Sequence, residues 1–207
     1  MAALLQSALG APTEVLPTES LAGDPSGEEV ESTSESLSSS DLWGLILSVT
    51  NNHSEEFEAE FNNQVKYHML EDIKIPSLPM SCPISNFSKE ACLNRLVNGL
   101  FVYNVLLKHV EKEYPNNYKI SETRANCGQL VNLIKRNMKH PERVIELPSS
   151  QEEQILQDIN SPDTFQRKTT AHSILFHLRN FLLQGKRVIR KRENTRGHLA
   201  PIFRFSY

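Results

Sequence analysis

Four long stretches of this chain carry apolar residues three and four positions apart, a spacing that places them on one face of an α-helix. In the second stretch this face comprises Leu93, Leu96, Val97, Leu100, Tyr103, Leu107 and Val110. The spacing predicts helices over residues 41–73, 88–114, 121–140 and from 163 past 189, with a short helix over 150–159. No segment alternates with period two over enough residues to indicate a sheet, so the sequence predicts an all-α fold.

The lengths of the connections limit how these helices can be arranged. The second predicted helix is about 39 Å long at 1.5 Å per residue, whereas residues 114–120 span at most about 23 Å when fully extended. The second and third helices must therefore be antiparallel neighbours. Residues 74–87 and 141–162 reach about 46 and 73 Å, which is long enough to run back along a helix. Long, short and long connections permit an up-up-down-down four-helix bundle.

The charges are distributed unevenly along the chain. Residues 1–65 contain twelve Asp or Glu and no Lys or Arg, whereas the remainder carries 22 basic and 13 acidic side chains. Residues 11–40 combine seven acids with few large apolar side chains, a composition that cannot bury enough surface to offset the entropy of ordering. We expect an acidic flexible leader over 11–40, a helical domain over 41–192 and a basic tail over 193–207.

The first residues of the sequence indicate secretion. MAALLQSALGA is apolar, and Ala8 and Gly10 precede Ala11 as small residues precede a signal-peptidase cut after Gly10. This pattern predicts a signal-like segment over residues 1–10 and an extracellular protein. The segment has no basic n-region, so an ordinary disordered start is the alternative. No run approaches the roughly 20 apolar residues that span a bilayer, so we expect no insertion into a membrane.

The cysteines and two sequons are consistent with an extracellular protein. Cys82 and Cys92 bracket a short segment that contains a proline and leads into a helix. Two cysteines so placed can reach the separation of roughly 5.5 Å that a disulfide requires. Asn52 and Asn86 begin N-glycosylation sequons. Cys127 is in register with the apolar face of the third helix, which predicts a buried thiol; a disulfide between two molecules is the alternative.

Other functional classes receive little support from the sequence. The basic run over residues 186–192 could bind nucleic acid or heparin, but no aromatic residues are interleaved with it, and the dipole favours a basic helix end. His172 lies on an apolar face, which predicts a buried, hydrogen-bonded imidazole. The sequence contains no nucleophile elbow, glycine-rich phosphate loop or metal-ligand spacing. We expect no catalytic residue, cofactor, metal or nucleic-acid partner, and we retain heparan sulfate as an accessory ligand.

The residues from Cys82 onwards resemble the signature of a cytokine family. The chain reads Cys82, nine residues, Cys92, six residues, Gly99-Leu100, two residues, Tyr103, three residues and Leu107. At every fixed position this resembles the signature shared by interleukin-6, granulocyte colony-stimulating factor and myelomonocytic growth factor. The fourth helix is more similar to the interleukin-6 branch. The resemblance covers about residues 41–192 and implies a long-chain up-up-down-down bundle with two long crossover loops.

The resemblance also implies a mode of action. A secreted cytokine of this kind binds a receptor α-chain and then a shared signal-transducing chain, which activates Janus kinases and STAT factors in immune and acute-phase responses. In interleukin-6 the α-chain site combines the end of the last helix with the loop beside the disulfide. Arg187, Arg190 and Phe87 match family residues there, although Phe87 could instead be a hydrophobic staple at the helix start. Pro83 departs from the pattern, because the family often has an aromatic residue there.

The other surfaces are less well defined by the resemblance. Phe165 falls where interleukin-6 has an exposed aromatic residue for the signal-transducing chain, but its register with the core face leaves burial equally open. The remaining face is formed by the outward sides of the first and third helices. No cysteine precedes Cys82, whereas mammalian interleukin-6 has an earlier disulfide. The alternative function is that of a granulocyte colony-stimulating factor-like growth factor acting through a different class I cytokine receptor.

Overall fold

The chain is described by a computed structural model over residues 36–51, 53–82 and 88–197, and these residues form helices but no strand. The six α-helices are α1 (Asp41–Asn51), α2 (His53–Glu60), α3 (Lys89–Glu113), α4 (Tyr118–Arg136), α5 (Ser149–Asp158) and α6 (Thr164–Gly197). Short 3-10 helices occur at Leu37–Ser39, Tyr67–Asp72 and Pro141–Arg143. The predicted all-α fold is confirmed. No helix within these ranges is long and apolar enough to cross a membrane.

Four of the helices form the bundle, since α1 and α3 each pack against both α4 and α6. The direction of α1 follows from contacts at its two ends. Ser36, just before α1, donates a hydrogen bond to Glu193 near the end of α6. His53, directly beyond the end of α1, contacts His172 in the first half of α6. Helix α1 is therefore antiparallel to α6.

Helix α3 is antiparallel to both α6 and α4. Near its start Leu96 lies against Gly185 in the second half of α6, and its last residue, Glu113, pairs with Arg167 near the start of α6. Only residues 114–117 connect α3 to α4. Hence α1 and α3 point one way and α4 and α6 the other, which confirms the up-up-down-down bundle. The two crossover connections occupy residues 61–88 and 137–163.

The apolar faces of the four helices meet in one core. Its fully buried residues include Trp43, Ile46, Leu93, Leu96, Leu100, Leu107, Leu130 and Ile134. Cys127 is a free cysteine within this core, as its register predicted. Burial raises the pKa of its thiol to about 12, so the group stays protonated and unreactive at neutral pH.

The first predicted helix is wrong beyond residue 60. Helix α2 ends at Glu60, and Asn62 and Asn63 follow with φ values of 51° and 58°. This left-handed conformation, which Asn tolerates better than most residues, ends the helix. Residues 67–72 form a 3-10 helix that buries Leu70. Met69 is 48% exposed, although its spacing of four from Val65 would place both on one face of a continued helix. Apolar residues thus keep the helical spacing of three and four beyond Glu60, although the chain there is no longer an α-helix.

Cys82 and Cys92 form the predicted disulfide, with Cα atoms 5.3 Å apart. Both residues are buried, and Cys92 lies in the first turn of α3. The bond therefore ties the first long connection to the start of α3. Residues 83–87 of the loop that it closes, which include Asn86 and Phe87, lie outside the described ranges, as do Asn52, the signal-like segment and most of the leader and tail.

Replacing both cysteines (Cys82→Ala with Cys92→Ala) is expected to lower the free energy of unfolding by about 2 kcal/mol, because closing the loop restricts the unfolded chain. Urea unfolding, followed by the fluorescence of the single tryptophan, Trp43, measures this loss. Reduction of the unaltered protein should produce the same loss. Equal stabilities of the oxidised, reduced and substituted proteins would show that the disulfide does not stabilise the bundle.

Candidate functional site

The end of α6 presents a pair of outward-facing arginines. Arg187 and Arg190 are exposed, whereas Val188 and Ile189 between them are buried in the core. Positions three apart share a helix face, so the two guanidinium groups leave the same side of α6. Neither forms an ion pair with another residue in the described part of the chain. The pair is available to carboxylates or aromatic rings of a partner.

The disulfide lies at the same end of the bundle as this arginine pair. A Cβ atom at Gly185 would lie only 2.5 Å from Cδ2 of Leu96, which shows how closely α3 and α6 approach there. Cys92 precedes Leu96 by one turn, and Ile189 follows Gly185 by one turn. Because the helices are antiparallel, these two turns lie level with each other. The structure thus brings the end of α6 beside the disulfide.

Phe165 lies at the opposite end of α6 and is 52% exposed, so the alternative of core burial is wrong. Its ring packs edge-to-face against Phe61, with the centroids 5.2 Å apart. Asp163 accepts a hydrogen bond from the N–H of Phe165 at 3.1 Å, which caps the start of α6. Twenty-two residues separate Phe165 from Arg187, or about 33 Å along the helix. The two candidate surfaces are therefore separate.

Arg167 fixes the start of α6, and with it the position of Phe165. Its guanidinium group donates to the carbonyl oxygens of Ser161 and Pro162, both at 3.0 Å. The same group pairs with Glu113 of α3 at 3.0 Å, and the side chain of Glu113 is only 7% exposed. The turn before α6 is consequently attached to the end of α3.

A polar cluster lies beneath the aromatic pair of Phe61 and Phe165. Nε2 of His172 is 2.8 Å from Oε2 of Glu60 and 2.7 Å from the hydroxyl of Tyr114. That hydroxyl donates to Glu60 at 2.8 Å, and the ammonium group of Lys168 also binds Glu60. Nδ1 of His172 contacts Nε2 of His53. His172 is thus a buried, hydrogen-bonded imidazole, as predicted.

Burial and hydrogen bonding shift the pKa values of this cluster. Burial would raise the pKa of Glu60, but hydrogen bonds from Lys168, His172 and Tyr114 hold it at about 2. Burial, with a smaller effect of His172, lowers the pKa of His53 to about 3. Burial also lowers the pKa of His172, although Glu60 opposes the shift. At neutral pH the cluster therefore contains one carboxylate and two neutral imidazoles. The described residues contain no group of His, Cys, Asp or Glu arranged to hold a metal ion.

The signature residues are located in the core and do not form a binding surface. Gly99 faces Phe181, where a Cβ atom would lie 2.4 Å from Cζ of the ring. Leu100, Tyr103 and Leu107 are buried, and the ring of Tyr103 lies 5.2 Å from that of Phe181. The spacing of the signature residues therefore reflects the packing of α3 against α6.

Comparison with known proteins identifies the family. The model of the Interleukin-6/G-CSF/MGF family matches residues 28–192, which is most of the chain. The chain belongs to this family. Interleukin-6 of Paralichthys olivaceus is 55% identical over 193 residues, which cover 93% of this chain and 84% of that protein. Interleukin-6 proteins of Takifugu rubripes and Sparus aurata are each 47% identical over 196 residues, which cover 95% of this chain and 86% of theirs.

Membership of the interleukin-6 family confirms the resemblance found in the signature residues. The family is one of cytokines, not of enzymes, so this chain is a cytokine and not an enzyme. Cytokines act by binding receptors. The surfaces at the two ends of α6 are accordingly candidates for binding proteins rather than small molecules.

The polar cluster was missed by the sequence analysis. Glu60, Tyr114 and His172 come from α2, the end of α3 and α6, and more than fifty positions separate neighbouring members along the chain. The only local signal was a histidine on the apolar face of the last helix. Its partners could be found only once the ends of the three helices were placed together.

Proposed function

We propose that this protein is secreted and signals as interleukin-6 does. It binds a receptor α-chain first and then a shared signal-transducing chain, which activates Janus kinases and STAT factors in immune and acute-phase responses. The observation that carries this proposal is the exposed pair of Arg187 and Arg190 beside the Cys82–Cys92 disulfide. Paired guanidinium groups on a helix suit an interface hot spot, because the helix backbone is already ordered and the planar guanidinium fork loses less side-chain entropy for each hydrogen bond that it forms.

The other contacts of this mechanism are assigned by family resemblance. Phe87 adds to the α-chain site, and Phe165 contacts the shared chain at the far end of α6. The outward sides of α1 and α4 form the remaining receptor face. The basic end of α6 gives heparan sulfate an accessory site through its positive charge. Asn52 and Asn86 carry N-linked glycans in the secreted protein.

Reversing one charge of the arginine pair tests the α-chain site. Arg187→Glu is expected to weaken binding to the interleukin-6 receptor α-chain ectodomain about 30-fold, because a central arginine is replaced by a repelling charge. Surface plasmon resonance with the secreted, oxidised protein measures this change. Lys112→Glu is the control, since it makes the same change of charge at an exposed position of the opposite end. Equal effects of the two substitutions would mean that only long-range charge matters.

The choice of receptor is tested with two ectodomains from the same species. Selective binding to the interleukin-6 receptor α-chain, lost in Arg187→Glu, supports the proposal. Binding only to the granulocyte colony-stimulating factor receptor would overturn it and favour the alternative growth factor. If the folded protein binds neither ectodomain, the proposal fails and the basic end of α6 must serve another partner.

A further inference from the structure

The hydrogen bonds of the polar cluster determine which ring nitrogens carry protons. The carboxylate of Glu60 can only accept, so Nε2 of His172 donates to it and Nδ1 of His172 keeps its lone pair. Nε2 of His53 must then donate to that lone pair. Nδ1 of His53 is buried and has no hydrogen-bond partner in the described part of the chain. Both imidazoles are neutral in this arrangement.

The cluster has no suitable position for additional protons. A proton on Nδ1 of His172 forces His53 into its other tautomer, which creates a buried N–H group without an acceptor. A second proton gives two imidazolium rings with centroids 4.4 Å apart, facing one carboxylate that Lys168 already binds. The intact cluster thus accepts at most one proton. Two exposed histidines would accept two protons near pH 6.5.

The neighbouring charges do not outweigh the effect of burial, so the two imidazole rings remain neutral. The groups that face the two histidines are Glu56 and Glu60 of α2, Tyr67 of the 3-10 helix, Tyr114 at the end of α3, and Lys168 of α6. The two carboxylates favour protonation of His172, whereas Lys168 opposes it. Burial is the largest effect and lowers the pKa of both histidines.

Helix α2 depends on this cluster for its position. It has eight residues, of which only His53 and Phe57 are buried. The ring of Phe57 lies 4.8 Å from that of His172 and 4.9 Å from that of Phe61. Phe61 follows α2 directly and supports Phe165. Movement of α2 would therefore withdraw Phe61 from its contact with the exposed ring of Phe165.

We infer that His53 and His172 make the docking of α2, and thereby the Phe61–Phe165 surface, sensitive to mild acid. Undocked α2 exposes both histidines and binds one or two more protons than the docked state, so acid favours undocking. At pH 5.5, one unit below the ordinary pKa, each additional proton shifts the equilibrium about tenfold. Docking should therefore weaken about ten- to hundredfold between pH 7.4 and 5.5. The docking does not depend on any receptor, whereas its effect on the shared chain rests on the proposed function.

Hydrogen exchange of the full chain at the two pH values tests the docking. After correction for the intrinsic pH dependence of exchange, protection of α2 amides is expected to fall ten- to hundredfold at pH 5.5. Protection of α4 amides over residues 127–134 should stay constant, because these lie in the core away from the cluster. Unchanged protection of α2, or α2 amides unprotected even at pH 7.4, would overturn the inference.

Substitutions distinguish the effect of His53 and His172 from a general effect of acid on the protein. The pair His53→Gln and His172→Gln should abolish the pH dependence of α2 protection, and His172→Gln alone should reduce it about tenfold. The control His68→Gln, at an exposed histidine of the neighbouring 3-10 helix, should keep the full dependence. Equal pH dependence in all these proteins would refute the assignment to His53 and His172.

Receptor binding then tests the second half of the inference. At pH 5.5 the unaltered protein should lose affinity for the shared chain while its affinity for the α-chain, bound about 33 Å away, stays nearly constant. The double glutamine variant should keep both affinities. If α2 loses protection but binding to the shared chain is unchanged, the acid-sensitive docking stands and its link to the Phe165 surface is wrong.

Discussion

Replacing Trp43 by alanine is expected to lower the free energy of unfolding by about 4 kcal/mol. Trp43 is fully buried between the helices of the bundle, and its Nε1 donates to the carbonyl oxygen of Leu37 at 3.0 Å. The substitution leaves a large cavity and an unpaired buried carbonyl group. Because a loss of 1 kcal/mol lowers Tm by about 2–4 °C in a domain of this size, thermal unfolding followed by circular dichroism should shift by roughly 10 °C.

Two further substitutions make this result interpretable. Leu45→Ala, on the same helix at a position that is 47% exposed, should change stability by no more than about 0.5 kcal/mol. Trp43→Phe fills most of the site but loses the hydrogen bond, so it should cost about 1–2 kcal/mol and still give a folded protein. If Leu45→Ala were as harmful as Trp43→Ala, the inward face of α1 would not be the one described.

Gly99→Val is expected to destabilise the protein by about 3 kcal/mol, the upper end of the usual cost of overpacking. A Cβ atom at Gly99 would meet Cζ, Cε2 and Cε1 of Phe181 at 2.4, 2.9 and 3.2 Å. The ring cannot move away freely, because Phe181 is itself buried against Tyr103. Urea unfolding followed by Trp43 fluorescence measures the loss.

A glycine in a helix that has open space around it provides a matched control, because glycine itself is not favoured within helices. Gly44→Ala in α1 has no atom within 4 Å of the new Cβ, so it should increase stability by about 0.5–1 kcal/mol. Adding Phe181→Leu to Gly99→Val should recover part of the lost stability, because the smaller side chain makes room. No recovery would mean that contacts other than the α3–α6 approach require glycine in the signature.

Most helix positions could be predicted because periodicity and capping are local properties. Ser88 accepts a hydrogen bond from the N–H of Ala91 and begins α3 as predicted. Some other helices begin at positions different from those predicted, because their capping residues were not recognised from the sequence. Asn117 caps α4, which begins three residues before the predicted start. Ser150 and Glu153 have the spacing of a capping box in the sequence, but Pro148 precedes α5 and no side chain caps that helix.

The topology was only partly determined by the sequence. A connection too short to span a helix requires antiparallel neighbours, so the arrangement of α3 and α4 followed from chain length alone. Long connections permit several paths, and only the contacts of α1 and α3 with α6 decided the direction of each helix. The disulfide was also predictable from chain length, because its two cysteines are only ten positions apart.

By itself the sequence determined most of the helices and their core faces, the disulfide and the cytokine signature, because each depends on residues that are close along the chain. The tertiary structure alone decided that Phe165 is exposed, since exposure depends on whether another element covers a side chain. It alone also brought His53, Glu60, Tyr114 and His172 together. The protonation of that cluster is governed by burial and by partners from distant segments, and neither is encoded in local spacing.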